Sequence, residues 1–326
     1  MATREQIAWA GLLITGVLIY GSHSVLLSLC KVDGQIPFHS TSVVVLIEAA
    51  KLVLSLVMYL ASGAQSSSQF SHCTFIKSLS YAVPALLYGV NNNIIVYAQE
   101  HMDPASSQVL GNLKIVTTAV WYRLVIHKRL TWQQWLAVGL LGMAGMCYGG
   151  AQVRQSELIE HDVHKPYLTV TGILLMLVYC TISGAAGVYT EYILKRQSQT
   201  PLHLQNIQLY LYGVSLNMLA FYSSTWNSDH AAKKFFDGYS LWTVIIIISQ
   251  AVIGLIMSVV MKHGSNIIRL FVISCAMIAN AVLSMVVLAL QPTANFWLAF
   301  VMVLFALHLY YQKQSCVSYL TKFFPV

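Results

Sequence analysis

Charge is what this sequence has least of. Only 9% of its 326 residues are Asp, Glu, Lys or Arg, against about 25% in a typical soluble domain. So few charges cannot cover the water-facing surface of a chain this long, which argues against a soluble fold. Acids are scarcer than bases: 11 Asp and Glu stand beside 18 Lys and Arg, for a formal net charge of +7. The bases are scattered between apolar runs rather than gathered on one face, so a nucleic-acid partner is excluded. The six cysteines (Cys30, Cys73, Cys147, Cys180, Cys275 and Cys316) include no CxxC pair and read as small apolar side chains in or near the ends of apolar runs. HExxH, GxSxG and paired aspartates within apolar runs are all missing, and His23, His263 and His308 stand isolated. Hydrolysis needs a nucleophile with a base, or a set of metal ligands. No enzyme activity, cofactor or metal is therefore expected. Nor is a cleavable leader, because the first apolar stretch, Ile7 to Leu29, is too long for a signal core.

What is abundant is apolar surface: 57% of residues are hydrophobic and the mean hydropathy is +0.66. A bilayer accepts such side chains facing outward, and one helical crossing takes about 20 of them. The apolar runs fall at 6–29, 41–61, 74–98, 104–125, 132–151, 167–193, 203–223, 239–261, 265–289 and 294–314. They are long and lack period-two alternation, which selects helices over barrel strands. The predicted fold is an all-α integral membrane protein with ten transmembrane helices. Placing both termini in the cytosol puts Arg4, Lys77, Lys128, Arg129, Lys195, Arg196, Lys262, Lys313 and Lys322 on one side, and most of the acids on the other. That asymmetry satisfies the positive-inside rule. A polar connection divides the chain into 1–152, a lumenal linker at 153–166, and 167–326. Five spans per half is an odd number, so the halves insert with opposite topology, as in inverted-repeat transporters.

Ionisable residues inside the runs mark the candidate positions, because a charge at the bilayer centre costs at least about 2.5 kcal/mol on the insertion scale: Glu48 with Lys51, Lys114, Glu191 with Lys195, and the Lys262 turn leading to Arg269. Glu48 and Lys51 are three residues apart on one helix face and can neutralise each other, either as a structural or gating pair or as part of a cavity lining. Lys114, in GNLKIVTTAV, has no acid within a helical turn on either side. Lys262, in VVMKHGSN, sits at the end of a run and can either reach the interface or join Lys114 on one anion. Lysine is a compact point charge suited to phosphate. Asn91, Asn92, Asn93, Asn206, Gln208, Tyr210 and Tyr212 can hydrogen-bond a base or sugar, or hold helices together. The glycines of GLLGMAGMCYGG and SGAAG, Gly184 and Gly187 among them, allow close helix packing or line a site.

The stretches IEAAKLVLS, LLYGVNNNIIVYA, LGNLKIVTTAV, GVYTEYILKRQ, LHLQNIQLYLYGV and MSVVMKHGSNIIRLF resemble the nucleotide-sugar transporters of solute carrier family 35, subfamily A, in the drug/metabolite transporter superfamily. They span residues 47 to 271. The resemblance implies ten helices in two inverted five-helix repeats in a Golgi or endoplasmic reticulum membrane. It also implies exchange of a cytosolic pyrimidine nucleotide sugar (UDP-, CMP- or CDP-linked) for a lumenal nucleoside monophosphate, and association with a second copy or with related transporters. On the same grounds Lys114 and Lys262 contact phosphate, while Asn92, Asn206, Tyr210 and Tyr212 contact base and ribose. Gly184, Gly187, Gly254 and Ser258 form helix walls of the substrate site, and Glu48 with Lys51 is a conserved type of second-helix pair in the family. The sequence departs from the family pattern at Ser107, where relatives carry tyrosine, at Asn112, where they carry glutamine, and at Asn91, the first residue of their QNN-type motif. Those departures leave a second reading open: a non-transporting membrane scaffold that assembles with other nucleotide-sugar transporters or glycosyltransferases.

Overall fold

In a computed structural model of the chain, the described residues are 4–32, 36–62, 78–111, 113–125, 131–140, 142–144, 167–226, 235–264, 266–289 and 293–311. Every regular element among them is helical, and their β pairing is an isolated bridge between Met102 and Leu168. The helices are α1 (Arg4–Leu29), α2 (Ser40–Ala61), α3 (Ala82–Ala98), α4 (Pro104–Gly111) and α5 (Leu113–Val125). Residues 132–140 form α6. Then come α7 (Val170–Arg196), α8 (Leu202–Trp226), α9 (Leu241–His263), α10 (Asn266–Leu288) and α11 (Ala294–Tyr311). Helices α1, α2, α7 and α9 are long and apolar enough to cross a membrane, and shorter apolar helices occupy Ile278–Leu288 and Ala294–Ala306. The chain is thus a helical, multi-pass membrane protein. Lys77, Asn112 and the linker at 153–166 lie outside the described residues.

The helices start where local chemistry satisfies their unpaired N–H groups. Pro104 opens α4, a position where it has no N–H to lose, and Asp103 Oδ1 accepts from the Ser106 amide at 3.0 Å. Thr169 Oγ1 accepts from the Gly172 amide at the start of α7. Ser240 and Thr243 form a reciprocal capping box on α9.

The burial pattern is inverted relative to a soluble protein. Val57, Leu219, Val286 and Leu298 are exposed, while Glu48, Asn91, Lys114, Gln205 and Arg269 are buried. Lipid explains the first group, and a polar interior explains the second. Helix α2 packs on α8, α1 on α9 and α10, and α7 on α3 and α5. The α7–α5 crossing is tight at Gly184, where a Cβ would lie 2.8 Å from Thr117 Oγ1 and 3.0 Å from the Thr118 amide nitrogen.

Each end of the bundle is tied by polar contacts. At one end Lys31 Nζ donates to the Gln99 carbonyl and to Tyr167 Oη, both at 2.6 Å. Burial pushes this ammonium below the ordinary lysine pKa, with the Asp103 and Glu100 charges working the other way. At the other end the Glu191 carboxylate accepts from Tyr122 Oη, from Lys195 Nζ at 2.7 Å and from the Asn266 amide at 2.9 Å. A side chain of α7 thereby caps the start of α10.

Candidate functional site

Eight helices (α1, α2, α3, α5, α7, α8, α9 and α10) contribute to a cavity of about 190 Å³. Its ionisable lining holds Lys51, Lys114, Arg269, Glu48 and His23. Lys51 is paired with Glu48 at 2.5 Å, one helical turn apart, with both side chains largely out of solvent. Among the described residues neither Lys114 nor Arg269 has a carboxylate partner. Lys114 is 4% exposed. Its Nζ donates to Tyr20 Oη at 3.0 Å and Tyr179 Oη at 2.7 Å, and sits 4.2 Å from the Tyr179 ring centroid. Phenolic oxygens and an aromatic face hold an ammonium in place without cancelling its charge. Arg269 enters from the first turn of α10, donating through Nη1 to Tyr88 Oη at 3.0 Å and Asn266 Oδ1 at 3.3 Å. Tyr20 lies within electrostatic reach of both cations. Two buried cations that no carboxylate pairs among the described residues leave positive charge in the cavity that an anion could neutralise.

The rest of the lining is apolar side chains with a few amide, hydroxyl and aromatic groups among them. Asn91 and Asn92 face the cavity from α3, and the buried Asn91 Oδ1 has no hydrogen-bond partner. Asn93 turns elsewhere: its Oδ1 accepts from Thr41 at 3.0 Å and its Nδ2 donates to the Gly89 carbonyl. Tyr210 Oη and Ser258 Oγ are 3.2 Å apart on the opposite side, and Lys51 Nζ lies 4.6 Å from the Tyr210 ring centroid. Gly254 is where the Lys51 stem passes, since a Cβ there would meet Lys51 Cδ at 2.6 Å.

Residues 11–311 match the family model for nucleotide-sugar transporters. The chain belongs to the nucleotide-sugar transporter family. It is 48% identical over 307 residues to the probable UDP-sugar transporter protein SLC35A4 of Xenopus tropicalis, covering 94% of this chain and 93% of that one. Against the protein of the same name from Danio rerio the identity is 46% over 306 residues, covering 94% of each. For that of Homo sapiens it is 44% over 315 residues, covering 94% and 95%. A crystal structure at 10% identity aligns with a TM-score of 0.62 over 93% of this chain and 96% of the other, which supports the fold alone. A nucleotide-sugar transporter is a carrier and not an enzyme.

Not every residue expected at the substrate site of this nucleotide-sugar transporter lines the cavity. Lys51, Glu48, Asn92, Lys114, Tyr210, Gly254 and Ser258 do. Lys262 does not: from the last turn of α9 its Nζ donates to the Thr200 carbonyl at 2.5 Å and Gln205 Oε1 at 2.9 Å. The acceptors are a carbonyl of the turn between α7 and α8 and a side-chain amide oxygen near the start of α8. Tyr212 bonds Ser78 at 3.3 Å. Asn206 is buried, with its Oδ1 unpartnered, but it is not part of the lining. Gly184 serves the α7–α5 crossing. Gly187 makes room for the cation: a Cβ there would meet Asn266 Oδ1 at 2.7 Å and Arg269 Nη1 at 3.0 Å. Arg269 stood out in the sequence as an intramembrane charge beyond Lys262 but was given no contact with substrate, and Tyr20, Tyr88 and Tyr179 were not singled out. Arg269 lies across the break between α9 and α10 from Lys262.

Proposed function

We propose that the chain is a pyrimidine nucleotide-sugar antiporter of the Golgi membrane, exchanging a cytosolic UDP-, CMP- or CDP-linked sugar for a lumenal nucleoside monophosphate. The observation that carries this reading is the pair of buried cations, Lys114 and Arg269, in one cavity whose lining carboxylate, Glu48, is paired with Lys51, so that neither has a carboxylate partner among the described residues. A phosphate chain supplies the missing negative charge. Arg269 presents a planar fork that matches two phosphate oxygens, and Lys114 acts as a point charge. Asn91 and Asn92 each offer a donor and an acceptor to a base edge, and Tyr210 offers a ring face. The names of the relatives support the uridine nucleotide as the first to test.

Exchange follows from the same charges. With the site empty, Lys114 and Arg269 repel, and closing the cavity around them strengthens that repulsion. A bound phosphate reverses its sign, so the halves rock only when loaded. The helix pairing supports the reading of two inverted repeats, 1–152 and 167–326, while cytosolic termini rest on the uneven distribution of basic residues between the loops. Matching α1 to α7, α2 to α8, α3 to α9 and the α4–α5 run to α10 maps the contacts onto one another. The α1–α10 contact becomes α7 with the α4–α5 run, α3–α7 becomes α9–α1, α2–α9 becomes α8–α3, and α2–α8 maps onto itself. Each of those pairs is in contact.

The test is thermal stabilisation of purified protein by UMP, CMP, GMP and UDP-, CMP-, CDP- and GDP-linked sugars, followed by exchange in preloaded liposomes. A ligand that binds only the folded state raises stability with its concentration over Kd. Stabilisation by a pyrimidine nucleotide and stimulation of uptake by internal monophosphate are expected. No stabilisation by any nucleotide would overturn the transport reading in favour of the scaffold.

A further inference from the structure

Lys114 also borders a second, smaller cavity of about 30 Å³. It shares Tyr20, His23, Ile95, Lys114 and Tyr179 with the main cavity and adds Ser24, Gln99 and Ser107. Its polar groups are incompletely matched. Gln99 is 1% exposed, and its Nε2 donates to Ser107 Oγ at 2.9 Å and to Ser24 Oγ at 3.2 Å. Gln99 Oε1 and His23 Nδ1 are buried without partners. Each serine hydroxyl accepts one bond from the amide and keeps its own proton free to donate. Turning the Gln99 amide over exchanges these roles and still leaves one amide atom unmatched. Buried polar atoms without partners cost about 1–3 kcal/mol each, so a chain that keeps several beside one small void is built to receive a polar group there.

We propose that this pocket is a sugar subsite that takes one hydroxyl or hydroxymethyl group of the transported glycosyl or polyol moiety, with Gln99, Ser24 and Ser107 setting specificity. The inference rests on the nucleotide-sugar reading of the main cavity. Size limits the guest: the space admits a single water-sized group, not a sugar ring. Its position limits the guest further. Lys114 borders both cavities, so a group that enters must be attached close to the phosphate that Lys114 holds. In a nucleotide sugar both the ribose and the sugar adjoin phosphate; with the nucleoside assigned to Asn91, Asn92 and Tyr210 in the main cavity, the sugar is the group left to enter. A hydroxyl both donates and accepts, as this lining requires. The subsite is held rigid from behind, because the Gln99 carbonyl accepts from Lys31 and its amide nitrogen closes the last turn of α3.

The discriminating experiment measures affinities of wild type, Ser107→Ala, Ser24→Ala and Ser107→Tyr for UMP, UDP, UDP-glucose, UDP-galactose and UDP-N-acetylglucosamine. Wild type is expected to prefer at least one UDP-sugar over UDP. Each alanine variant is expected to lower that sugar's affinity about three- to tenfold, the weight of one hydrogen bond, with UMP unchanged within about twofold. Ser107→Tyr fills the void and is expected to abolish the preference for the sugar while still binding UMP. Equal losses for UMP and the sugar, or an unchanged sugar preference in Ser107→Tyr, would overturn the subsite and leave the nucleotide site standing. Wild type that binds none of these nucleotides overturns both.

Discussion

Lys114 lies inside an apolar stretch of the first half and Lys262 at the end of one in the second, and they do different things. Lys114 projects into the shared cavity and finds only phenols and an aromatic ring. Lys262 turns onto the Thr200 carbonyl of the α7–α8 turn and the Gln205 side-chain amide oxygen of α8, leaving Arg269, across the break between α9 and α10, as the second half's cation in the cavity. The difference is one of helix position. Lys262 belongs to the last turn of α9, within reach of the α7–α8 connection, while Arg269 belongs to the first turn of α10, whose start Glu191 caps. Intramembrane charge identifies candidates; which neighbour has acceptors to spare decides where each one goes.

The sharpest way to break this comparison is to neutralise each cation in turn. Lys114→Ala is expected to lower nucleotide affinity by roughly 30- to 1,000-fold, as for truncating one member of a desolvated charge pair; titration calorimetry of the purified protein reads it directly. Arg269→Ala is expected to fall in the lower part of that range. Arg269→Lys should recover part of the loss, because the charge returns but not the planar fork. Lys262→Ala is expected to leave affinity within about threefold, since it removes only contacts to a turn.

The Glu48–Lys51 pair sharpens the point from the other side. Glu48→Ala leaves an unpaired ammonium in the cavity and is expected to destabilise the protein by about 3 kcal/mol, measured by denaturation in detergent. Glu48→Gln with Lys51→Met should lie closer to wild type, because no lone charge remains. An intermediate effect, above that of Lys262→Ala, is expected for Gly187→Ala. Its new methyl meets Asn266 and Arg269 at 3.0 Å or less, so the added atom should shift the guanidinium and weaken binding severalfold, with destabilisation of about 1–3 kcal/mol.

Much of the architecture is legible in the sequence because lipid imposes a simple rule: long apolar runs become helices. The described helices follow those runs, with ends that overshoot by up to three residues at α7 and α8, and α1 and α2 match their predicted limits to within two residues. Helix α3 is the exception. Its run begins at 74, while the helix begins at Ala82 after a turn at Ser80 and Tyr81; Pro84 sits in its first turn, where proline favours a helix start. Lys114 was legible as a site residue because nothing near it in sequence could neutralise it. The split among Asn91, Asn92 and Asn93 was not, since one residue of rotation separates cavity from packing and periodicity alone does not fix the phase. Tyr20, Tyr88 and Tyr179 were hidden for a similar reason: tyrosine is common in apolar helices, and only the assembled bundle brings three of them around two cations.

The most direct test of the account is nucleotide exchange in liposomes, run side by side for wild type, Lys114→Ala, Arg269→Ala and Lys262→Ala. Exchange lost in the first two variants and kept in the third would support an anion site made by Lys114 and Arg269. Exchange kept in Lys114→Ala, or lost in Lys262→Ala as fully as in Arg269→Ala, would contradict it.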